Sequence, residues 1–320
     1  MSRSSPPLRV ACQGECMVEL RESPTPGLLA QGIAGDTYNT AVYLRRLTSA
    51  ADLRIDYATC VGGDLFAPRL FETWRAEGIG ESLVRTVPDR STGLYAIRTD
   101  AHGERHFSYW RERSAARAYF EGELSPLEQQ AGEIDVLYLS GISLAIMGPE
   151  MPPRLRTLLQ GLRSRGARIV FDNNYRPRLW ASRDAAQSAF AQLYALADIV
   201  LVTLDDERAL QGLASDDLAL QHSLALPCPE VVVKRGARST LVRRVGQSPI
   251  EVPVQTVSRV VDTTAAGDSF AAGYLAKRLM GESAVAAAEW GNRLAATVIQ
   301  HPGAIVPPEV MAWATRRGAA

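Results

Sequence analysis

The chain has 320 residues, and its 35 basic and 35 acidic side chains leave no net charge that would attract nucleic acid or an anionic membrane surface. Its hydrophobic content of 46% and charged content of 22% are typical of a globular enzyme, and no run of about 18 apolar residues could span a bilayer. Because the N-terminus has no apolar signal-peptide core, we predict a cytoplasmic protein without nucleic-acid or membrane partners.

The first third of the chain predicts strands outside any strand–helix alternation. Residues 8–20 and 93–110 are expected to pair, and the second stretch turns at 100–103, where Gly103 supplies the positive φ that a tight hairpin needs. A small sheet of this kind can close over a site on the main body and exclude water from a reactive group. We therefore predict a β-sheet lid.

Two polar side chains on the second arm of this hairpin could serve a binding pocket. The guanidinium of Arg111 can hold a carboxylate through two parallel hydrogen bonds, and Tyr109 adds a hydroxyl. Residues two apart lie on the same face of a strand, so Tyr109 and Arg111 can serve one pocket. The alternative is that Arg111 is a solvated charge at the strand edge.

The cysteines of the chain are Cys12, Cys16, Cys60 and Cys228. Cys12 and Cys16 could form half of a zinc site, but no second Cys or His pair follows at the spacing that such sites use. We therefore predict no protein-held metal centre and expect the cysteines to pack as apolar side chains in a reducing compartment.

From residue 134 onward, short apolar runs alternate with helical patterns. The predicted strands are 134–139, 168–171, 199–202 and 231–233, and the predicted helices are 154–165, 184–196 and 205–212. Continuous apolar strands separated by helices are typical of a parallel sheet that is covered on both faces.

Two further stretches lie where such sheets bind ligands. Arg176 follows a strand that ends near Asp172, at the carboxyl edge of the sheet, although it could instead only pair with Asp172 or Asp205. Residues 235–240 form a turn in which Gly236 allows close approach of the backbone to a ligand.

The most informative stretch is 262–270, where small residues separate a strand predicted at 257–261 from an apolar helix. Amides at a helix N-terminus have no partner within the helix and attract anions, so Ala265, Ala266 and Gly267 can bind a phosphate. Asp268 beside this anion hole would repel the phosphate unless it serves as a general base. The alternative is that Asp268 only caps the helix.

Several other phosphate-binding and catalytic motifs do not occur in the sequence. It has no Gly-x-x-x-x-Gly-Lys-Ser/Thr, no Gly-x-Gly-x-x-Gly and no Gly-x-Ser-x-Gly. These absences remove the usual sequence evidence for a P-loop enzyme, a dinucleotide-dependent dehydrogenase and an α/β-hydrolase.

Four motifs, in order along the chain, resemble those of the ribokinase-like (PfkB-type) carbohydrate kinases. They are Gly35-Asp36-Thr37-Tyr38-Asn39, Asp172-Asn173-Asn174-Tyr175-Arg176-Pro177, Val233-Lys234-Arg235-Gly236-Ala237 and the stretch 262–270. The stretches 138–143, 171–180 and 204–207 are similar to the subgroup that acts on keto-deoxy sugar acids. The family commonly has Gly-Ala-Gly-Asp where this chain has Ala-Ala-Gly-Asp, and the added Cβ of Ala265 need not block its amide.

The resemblance implies an α/β fold, a ribokinase-like three-layer αβα sandwich with a mainly parallel central sheet and a small β-sheet lid. It implies a single kinase domain over residues 1–320, with lid strands inserted from roughly 15–34 and 92–112. From position alone, Asp36 could cap the helix that follows it or bind a sugar hydroxyl.

The resemblance also implies roles for individual residues. Catalysis would use Asp268 as the base, Ala265, Ala266 and Gly267 as the anion hole, and Arg176 as a contact to the transferring phosphate. The substrate would be bound by Gly35, Asp36, Thr37, Tyr38, Asn39, Tyr95, Tyr109, Trp110, Arg111, Arg176 and Asp268. The nucleotide would be bound by Asn174, Tyr175, Arg176, Arg235, Gly236, Ala237, Arg238, Ser239, Thr240, Ala265, Ala266, Gly267 and Asp268.

The implied activity is phosphorylation of the 6-hydroxyl of 2-keto-3-deoxy-D-gluconate by ATP, with Mg²⁺ bound through phosphates and water and with Glu207 as a candidate contributor near the metal. A monovalent cation such as K⁺ and assembly into a homo-oligomer are further expectations. Two alternatives remain: a kinase for a neutral sugar such as ribose or fructose, and a sugar-acid sensor that has kept the fold and lost catalysis.

Overall fold

The computed structural model describes residues 6–23, 25, 27–99, 105–148 and 151–315. The strands in these residues are β1 (Leu8–Gln13), β2 (Met17–Glu22), β3 (Leu29–Ala34), β4 (Leu53–Val61), β5 (Val84–Thr86), β6 (Leu94–Thr99), β7 (Arg105–Trp110), β8 (Val136–Ser140), β9 (Arg168–Asp172), β10 (Ile199–Thr203), β11 (Glu230–Arg235), β12 (Arg238–Arg244) and β13 (Ile250–Val252).

The α-helices in the same residues are α1 (Asp36–Leu47), α2 (Ala67–Ala76), α3 (Pro126–Gln129), α4 (Gly141–Ile146), α5 (Pro153–Ser164), α6 (Arg183–Leu196), α7 (Leu204–Gln211), α8 (Asp216–Leu224), α9 (Ala266–Arg278), α10 (Ala284–Val298) and α11 (Ala312–Thr315). The strands and helices predicted after residue 134 are confirmed as β8 to β11 and α5 to α7, each within two residues at both ends. None of the described helices is long and apolar enough to cross a membrane.

The large sheet has the order β13-β12-β11-β10-β9-β8-β1-β4-β5, and neighbouring strands are parallel except for the antiparallel pairs β11–β12 and β12–β13. The inner strands are buried along nearly their whole length, which is why they appear in the sequence as continuous apolar runs. Helices α5 to α8 cover one face, and α1, α9 and α10 cover the other. The predicted three-layer sandwich is confirmed.

A second, small sheet has the order β3-β2-β6-β7. Strand β2 is parallel to β6 and antiparallel to β3, and β6 and β7 form an antiparallel pair. Its strands lie in the two segments predicted for the lid. The turn predicted at 100–103 lies outside the described residues, although the strands on either side of it pair as expected.

Two predictions for strands differ from the structure. Residues 8–20 pair with 93–110 only through β2, which lies beside β6 in the small sheet, whereas β1 is buried on both faces and joins the large sheet. Residues 257–261 are irregular, and Val260 and Val261 are about half exposed. The amide of Val261 donates to the carbonyl of Ile299 at the end of α10 rather than to a strand.

Candidate active site

The small-residue stretch forms the N-terminus of α9, as predicted. Ala265 is the N-cap and adopts a left-handed conformation with φ 59°, which costs an alanine about 1–2 kcal/mol. The preceding loop is fixed by Asp262, whose carboxylate accepts hydrogen bonds from the amides of Thr264 at 2.7 Å and Gly303 at 2.9 Å. The amide of Ala266 donates to Thr263 at 3.2 Å.

Asp268 lies in the first turn of α9 and is held by α1. Its carboxylate accepts a hydrogen bond of 2.8 Å from the side-chain amide of Asn39, and its carbonyl accepts one of 3.2 Å from the hydroxyl of Thr40. The helix cap is Ala265, which makes no side-chain cap. The alternative that Asp268 merely caps the helix is therefore wrong, and its carboxylate is oriented by Asn39.

The surroundings of Asp268 favour its protonated form. Burial, with the nearby negative charges of Asp36 and Asp172, raises its pKa from 3.8 to about 8, although the hydrogen bond from Asn39 and the positive charge of Lys234 oppose the shift. A carboxylate with such a pKa can accept a proton near neutral pH. The geometry and the raised pKa suit a general base.

Asp36 is the first residue of α1 and does not cap the helix. Its carboxylate accepts hydrogen bonds from the hydroxyl of Ser140 and, at 2.8 Å, from the side-chain amide of Asn174. Asn174 itself has a positive φ of 22°, which lets it turn towards Asp36 immediately after β9. A hydrogen bond thus joins the motif at 35–39 to the motif at 172–177 at the carboxyl edge of the sheet.

Lys234 is a site residue that the sequence reasoning missed. Its ammonium lies 2.9 and 3.1 Å from the two carboxylate oxygens of Asp172, and both side chains are largely buried. Burial raises the pKa of Asp172, and Lys234 partly offsets that rise. A Cβ placed on Gly267 would lie 3.4 Å from this ammonium, so the ion pair borders the predicted anion hole.

Arg176 also lies at this edge, as predicted, but its partner differs from those expected. The guanidinium contacts both carboxylate oxygens of Asp206 at 3.1 and 3.2 Å rather than Asp172 or Asp205, and its side chain is 49% exposed. Burial lowers the pKa of Arg176, but the charges of Asp206, Asp36 and Asp268 together outweigh it and raise the pKa, which keeps a positive charge at this edge.

The first motif divides between the site and the core. At Gly35 a Cβ would lie 2.1 Å from the carbonyl oxygen of Glu15, so only glycine fits. Thr37 is buried with its hydroxyl 3.1 Å from that of Tyr57, and the ring of Tyr38 packs on Tyr57 and Trp74. The side chains of Thr37 and Tyr38 therefore pack in the core, and the contact of this segment with substrate stays a prediction.

The small sheet places its aromatic residues on different faces. Tyr95 and Tyr109 are cross-strand neighbours with ring centroids 5.8 Å apart, and the hydroxyl of Tyr95 donates to Glu19. Trp110 follows Tyr109 in β7 and so points to the opposite face, where it is 58% exposed. The predicted contact of Trp110 with substrate stays a prediction, and it would have to be made from the other face of the strand.

Arg111 is buried rather than solvated at a strand edge. It forms an ion pair with Glu15, and the two residues are 6% and 2% exposed. Within the described residues, the Nε of Arg111, one carboxylate oxygen of Glu15, the hydroxyl of Ser114 and both amide atoms of Gln13 are buried without a hydrogen-bond partner. Such groups require a polar partner, so they identify candidate ligand contacts that include the unpredicted Gln13 and Glu15.

The turn predicted to bind nucleotide is the hairpin between β11 and β12. Gly236 has φ 62°, but Arg235 extends to Glu251 at 3.0 Å and Arg238 to Asp216 at 2.6 Å. The two guanidinium groups are thus paired with acidic side chains at the surface. The hydroxyl of Thr240 donates to Asn292 at 2.8 Å.

Two other predicted residues are internal. Tyr175 is 4% exposed and meets Phe190 edge to face, so its ring packs in the core, and its contact with the nucleotide stays a prediction. Glu207 is buried and accepts hydrogen bonds from Tyr194 at 2.5 Å and from Asn173, the neighbour of Asp172, at 3.2 Å. Among the described residues, no cluster of three or more acidic, histidine or cysteine side chains is arranged to hold a metal ion.

Comparison with known proteins places this site in a wider context. Residues 8–311 match the model of the pfkB family carbohydrate kinases. The 2-dehydro-3-deoxygluconokinase of Escherichia coli K12 is 45% identical over 308 residues, which cover 95% of this chain and 98% of that protein. The enzyme of the same name from Dickeya dadantii is 44% identical over 94% and 98% of the two chains, whereas a fructokinase from Vibrio alginolyticus is 29% identical over 82% and 81%.

Solved structures with similar folds include two sugar kinases. Aminoimidazole riboside kinase from Salmonella enterica, complexed with aminoimidazole riboside and an ATP analogue, superposes with a TM-score of 0.78 at 21% identity over 97% of this chain and 100% of that one. A fructokinase from Xylella fastidiosa with bound ATP gives a TM-score of 0.77 at 20% identity over 92% and 93%. These likenesses establish the ribokinase-like fold.

Proposed function

Because the chain belongs to the pfkB family of carbohydrate kinases, we propose that it is a kinase for 2-dehydro-3-deoxy-D-gluconate, the 2-keto-3-deoxy sugar acid. The observation that carries this proposal is the 45% identity to a 2-dehydro-3-deoxygluconokinase over 95% of the chain. Fructokinases are much more distant, which disfavours the neutral-sugar alternative. The presence of a positioned Asp268 disfavours a sensor without catalysis.

In the proposed reaction, Asp268 accepts the proton of the 6-hydroxyl of the sugar acid. The hydroxyl oxygen forms a bond to the γ-phosphorus of ATP while the bond from that phosphorus to the bridging oxygen breaks, and ADP leaves with the electron pair. Asn39 holds the carboxylate of Asp268 in position at 2.8 Å. The products are the 6-phosphate and ADP.

The residues around the N-terminus of α9 fit a bound polyphosphate. Gly267 has no side chain to cover the first amides of the helix, and a Cβ there would meet only the ammonium of Lys234 within 4 Å. Arg176 carries positive charge at the same edge and is suited to stabilise charge on the phosphoryl group. Mg²⁺, bound chiefly through phosphate oxygens and water, supplies further neutralisation of that charge.

The proposal is tested by measuring ADP release with purified protein, ATP and Mg²⁺. We expect the specificity constant for 2-dehydro-3-deoxygluconate to exceed those for ribose and fructose by roughly a hundredfold or more, because a site built for a carboxylate leaves buried polar groups unpaired with a neutral sugar. It should also exceed that for gluconate, which has the carboxylate but carries hydroxyl groups at C2 and C3. Preference for ribose or fructose would overturn the proposed identity of the substrate. Absence of ADP release with all four compounds would favour the sensor.

A second prediction concerns the pH dependence of catalysis. The negative charge of Asp36 is the second-largest cause, after burial, of the raised pKa of Asp268. Asp36→Asn removes that charge, lowers the pKa of Asp268 and should move the acid limb of the profile of kcat/KM against pH to lower pH.

The matched control is Asp205→Asn, which removes the same charge from a side chain that is 77% exposed. It should leave the acid limb in place. An acid limb that stays unchanged in Asp36→Asn would argue that ionisation of Asp268 does not set the profile.

Several finer properties are part of the same proposal. We expect one kinase domain over residues 1–320, a cytoplasmic location, activation by a monovalent cation such as K⁺ and assembly into a homo-oligomer. The proposed nucleotide contacts of Arg235, Gly236, Ala237, Arg238, Ser239 and Thr240 are through the backbone of the hairpin, since both arginine side chains are paired at the surface.

A further inference from the structure

Gln13 is the last residue of β1 and follows the apolar run Val10-Ala11-Cys12. The residue is 1% exposed, and both the amide nitrogen and the carbonyl oxygen of its side chain are buried without a hydrogen-bond partner within the described residues. A buried amide without partners destabilises the folded state, whereas an apolar side chain of the same size would not. Stability therefore does not explain a glutamine at this position, and a contact with a ligand does.

The backbone of Gln13 is fixed at the carboxyl edge of the large sheet, where open α/β sheets bind their ligands. Strand β1 lies between β4 and β8 and is parallel to both. The backbone carbonyl of Gln13 accepts a hydrogen bond of 2.7 Å from the hydroxyl of Ser143 on α4. A Cβ on Gly14 would lie 2.1 Å from the hydroxyl oxygen of Thr37, so the chain is closely packed directly after Gln13. The side-chain amide is thus carried by a rigid part of the fold.

The chain next to Gln13 carries the buried ion pair of Glu15 and Arg111. One carboxylate oxygen of Glu15, Nε of Arg111 and the hydroxyl of Ser114 are also buried without a hydrogen-bond partner in the part of the chain that the structure describes. The backbone amide of Ser114 donates to the carbonyl of Arg111 at 3.1 Å, which keeps these two residues together. The unpartnered atoms thus come from two short segments that the ion pair joins. Buried polar groups are normally hydrogen-bonded, so this concentration indicates a polar ligand.

The amide of Gln13 is complementary to a hydroxyl group. Its NH₂ donates and its C=O accepts, and a hydroxyl does both, whereas a carboxylate only accepts and suits the guanidinium of Arg111. Counted from the carboxylate at C1, the proposed substrate has a keto group at C2, a methylene at C3 and its first hydroxyl at C4. With the 6-hydroxyl at Asp268, the hydroxyl closest to the pair of Glu15 and Arg111 is the one at C4.

We propose that Gln13 determines the specificity of the kinase for the configuration at C4 of the sugar acid, because the C4 hydroxyl accepts from its NH₂ and donates to its C=O. This inference rests on the proposed function and adds to it the group that distinguishes the substrate from its C4 epimer, 2-dehydro-3-deoxygalactonate. In the epimer the hydroxyl points in another direction, so the amide stays unpaired and binding is weaker.

Calorimetry with each sugar acid in the absence of nucleotide tests the proposal without depending on phosphoryl transfer. The parent should bind 2-dehydro-3-deoxygluconate roughly tenfold or more tightly than 2-dehydro-3-deoxygalactonate. Gln13→Met keeps the length of the side chain and removes both polar atoms. We expect this variant to bind 2-dehydro-3-deoxygluconate roughly tenfold more weakly and the epimer less than about threefold more weakly, so that the preference disappears.

Thermal unfolding distinguishes this role from a structural one. Because the amide of Gln13 has no partner within the described residues, Gln13→Met should raise the melting temperature by about 2–4 °C. The matched control is Gln187→Met on α6, which removes an amide that donates to the carbonyl of Leu210 at 3.0 Å. The control should not raise the melting temperature, and it should keep the parent's preference between the two acids.

The proposal is overturned if folded Gln13→Met keeps the parent's ratio of affinities for the two acids, including a ratio near one. A lower melting temperature with an unchanged ratio would assign Gln13 a structural role instead. ADP release is measured separately. A parent protein that shows the expected preference in binding but releases no ADP would contradict the kinase function and not the role of Gln13, whereas binding of neither acid would contradict both.

Discussion

Replacement of Asp268 by asparagine is expected to reduce kcat by roughly 10²–10⁴-fold, the range that a positioned general base contributes. The substitution keeps the size of the side chain and an oxygen that can still accept the 2.8 Å hydrogen bond from Asn39. It removes the ability to accept the proton of the substrate hydroxyl. Steady-state kinetics with 2-dehydro-3-deoxygluconate measures the effect, and turnover within about threefold of the parent would contradict the assignment of the base.

The same substitution should not destabilise the fold, and the pKa of Asp268 gives the sign of the effect. The folded-state pKa is about 8 and the ordinary value is 3.8, so between these values the folded protein binds a proton that the unfolded chain does not. The contribution of Asp268 to stability is therefore present at low pH and is lost as pH rises through about 8. Asp268→Asn has no carboxyl group to ionise at this position, so the variant does not lose this stability as the pH rises.

Thermal unfolding at several pH values tests that sign. The melting temperature of Asp268→Asn, relative to that of the parent, should rise as the pH increases from about 5.5 to about 8.5. Asp89→Asn, at an exposed loop position, is the matched control and should show no such trend. A variant that becomes less stable than the parent as pH rises would show that burial of an ionised Asp268 is not costly.

The order of strands and helices after residue 134 could be predicted because each element has a local signature. Strand β9 is a short apolar run buried on both faces, and α6 shows the helical period. The strand predicted at 257–261 does not form, because there the local pattern was misleading. Its β-branched residues resemble a strand, but Val261 finds its hydrogen-bond partner in Ile299, and nothing local in the sequence indicates that contact.

The candidate site could be predicted where one motif supplies both the anion-binding backbone amides and the acidic side chain, as at Gly267 and Asp268. It was less predictable where the partner is distant in sequence. Lys234 and Asp172 are 62 residues apart, and Glu15 and Arg111 are 96 apart. The rarity of lysine was the one available signal for Lys234.

The pair of Glu15 and Arg111 leads to the second large prediction. Arg111→Met should raise the KM for 2-dehydro-3-deoxygluconate roughly a hundredfold, because the guanidinium is the proposed partner of the substrate carboxylate. It should also lower the free energy of unfolding by about 3–5 kcal/mol, because Glu15 would be left as an unpaired buried charge. Loss of activity in this single variant therefore has two possible causes.

A double variant separates them. Glu15→Gln/Arg111→Met removes both charges of a pair whose members are 2% and 6% exposed, so most of the stability should return. The carboxylate-binding group remains absent, and KM for the sugar acid should stay high. If KM recovered together with stability, the role of Arg111 would be only to neutralise the charge of Glu15. Another residue would then have to bind the substrate carboxylate.

The reason to expect a substrate contact at all is the incomplete bonding of this pair. Within the described residues, Nε of Arg111 is a buried donor and Oε1 of Glu15 a buried acceptor without partners. A carboxylate can accept from the first, and a hydroxyl can donate to the second. Glu15→Gln alone keeps an acceptor and the shape of the pair but removes its charge, so it should alter KM far less than Arg111→Met does. Equal losses in the two variants would show that charge balance, rather than a direct hydrogen bond to the substrate, determines binding.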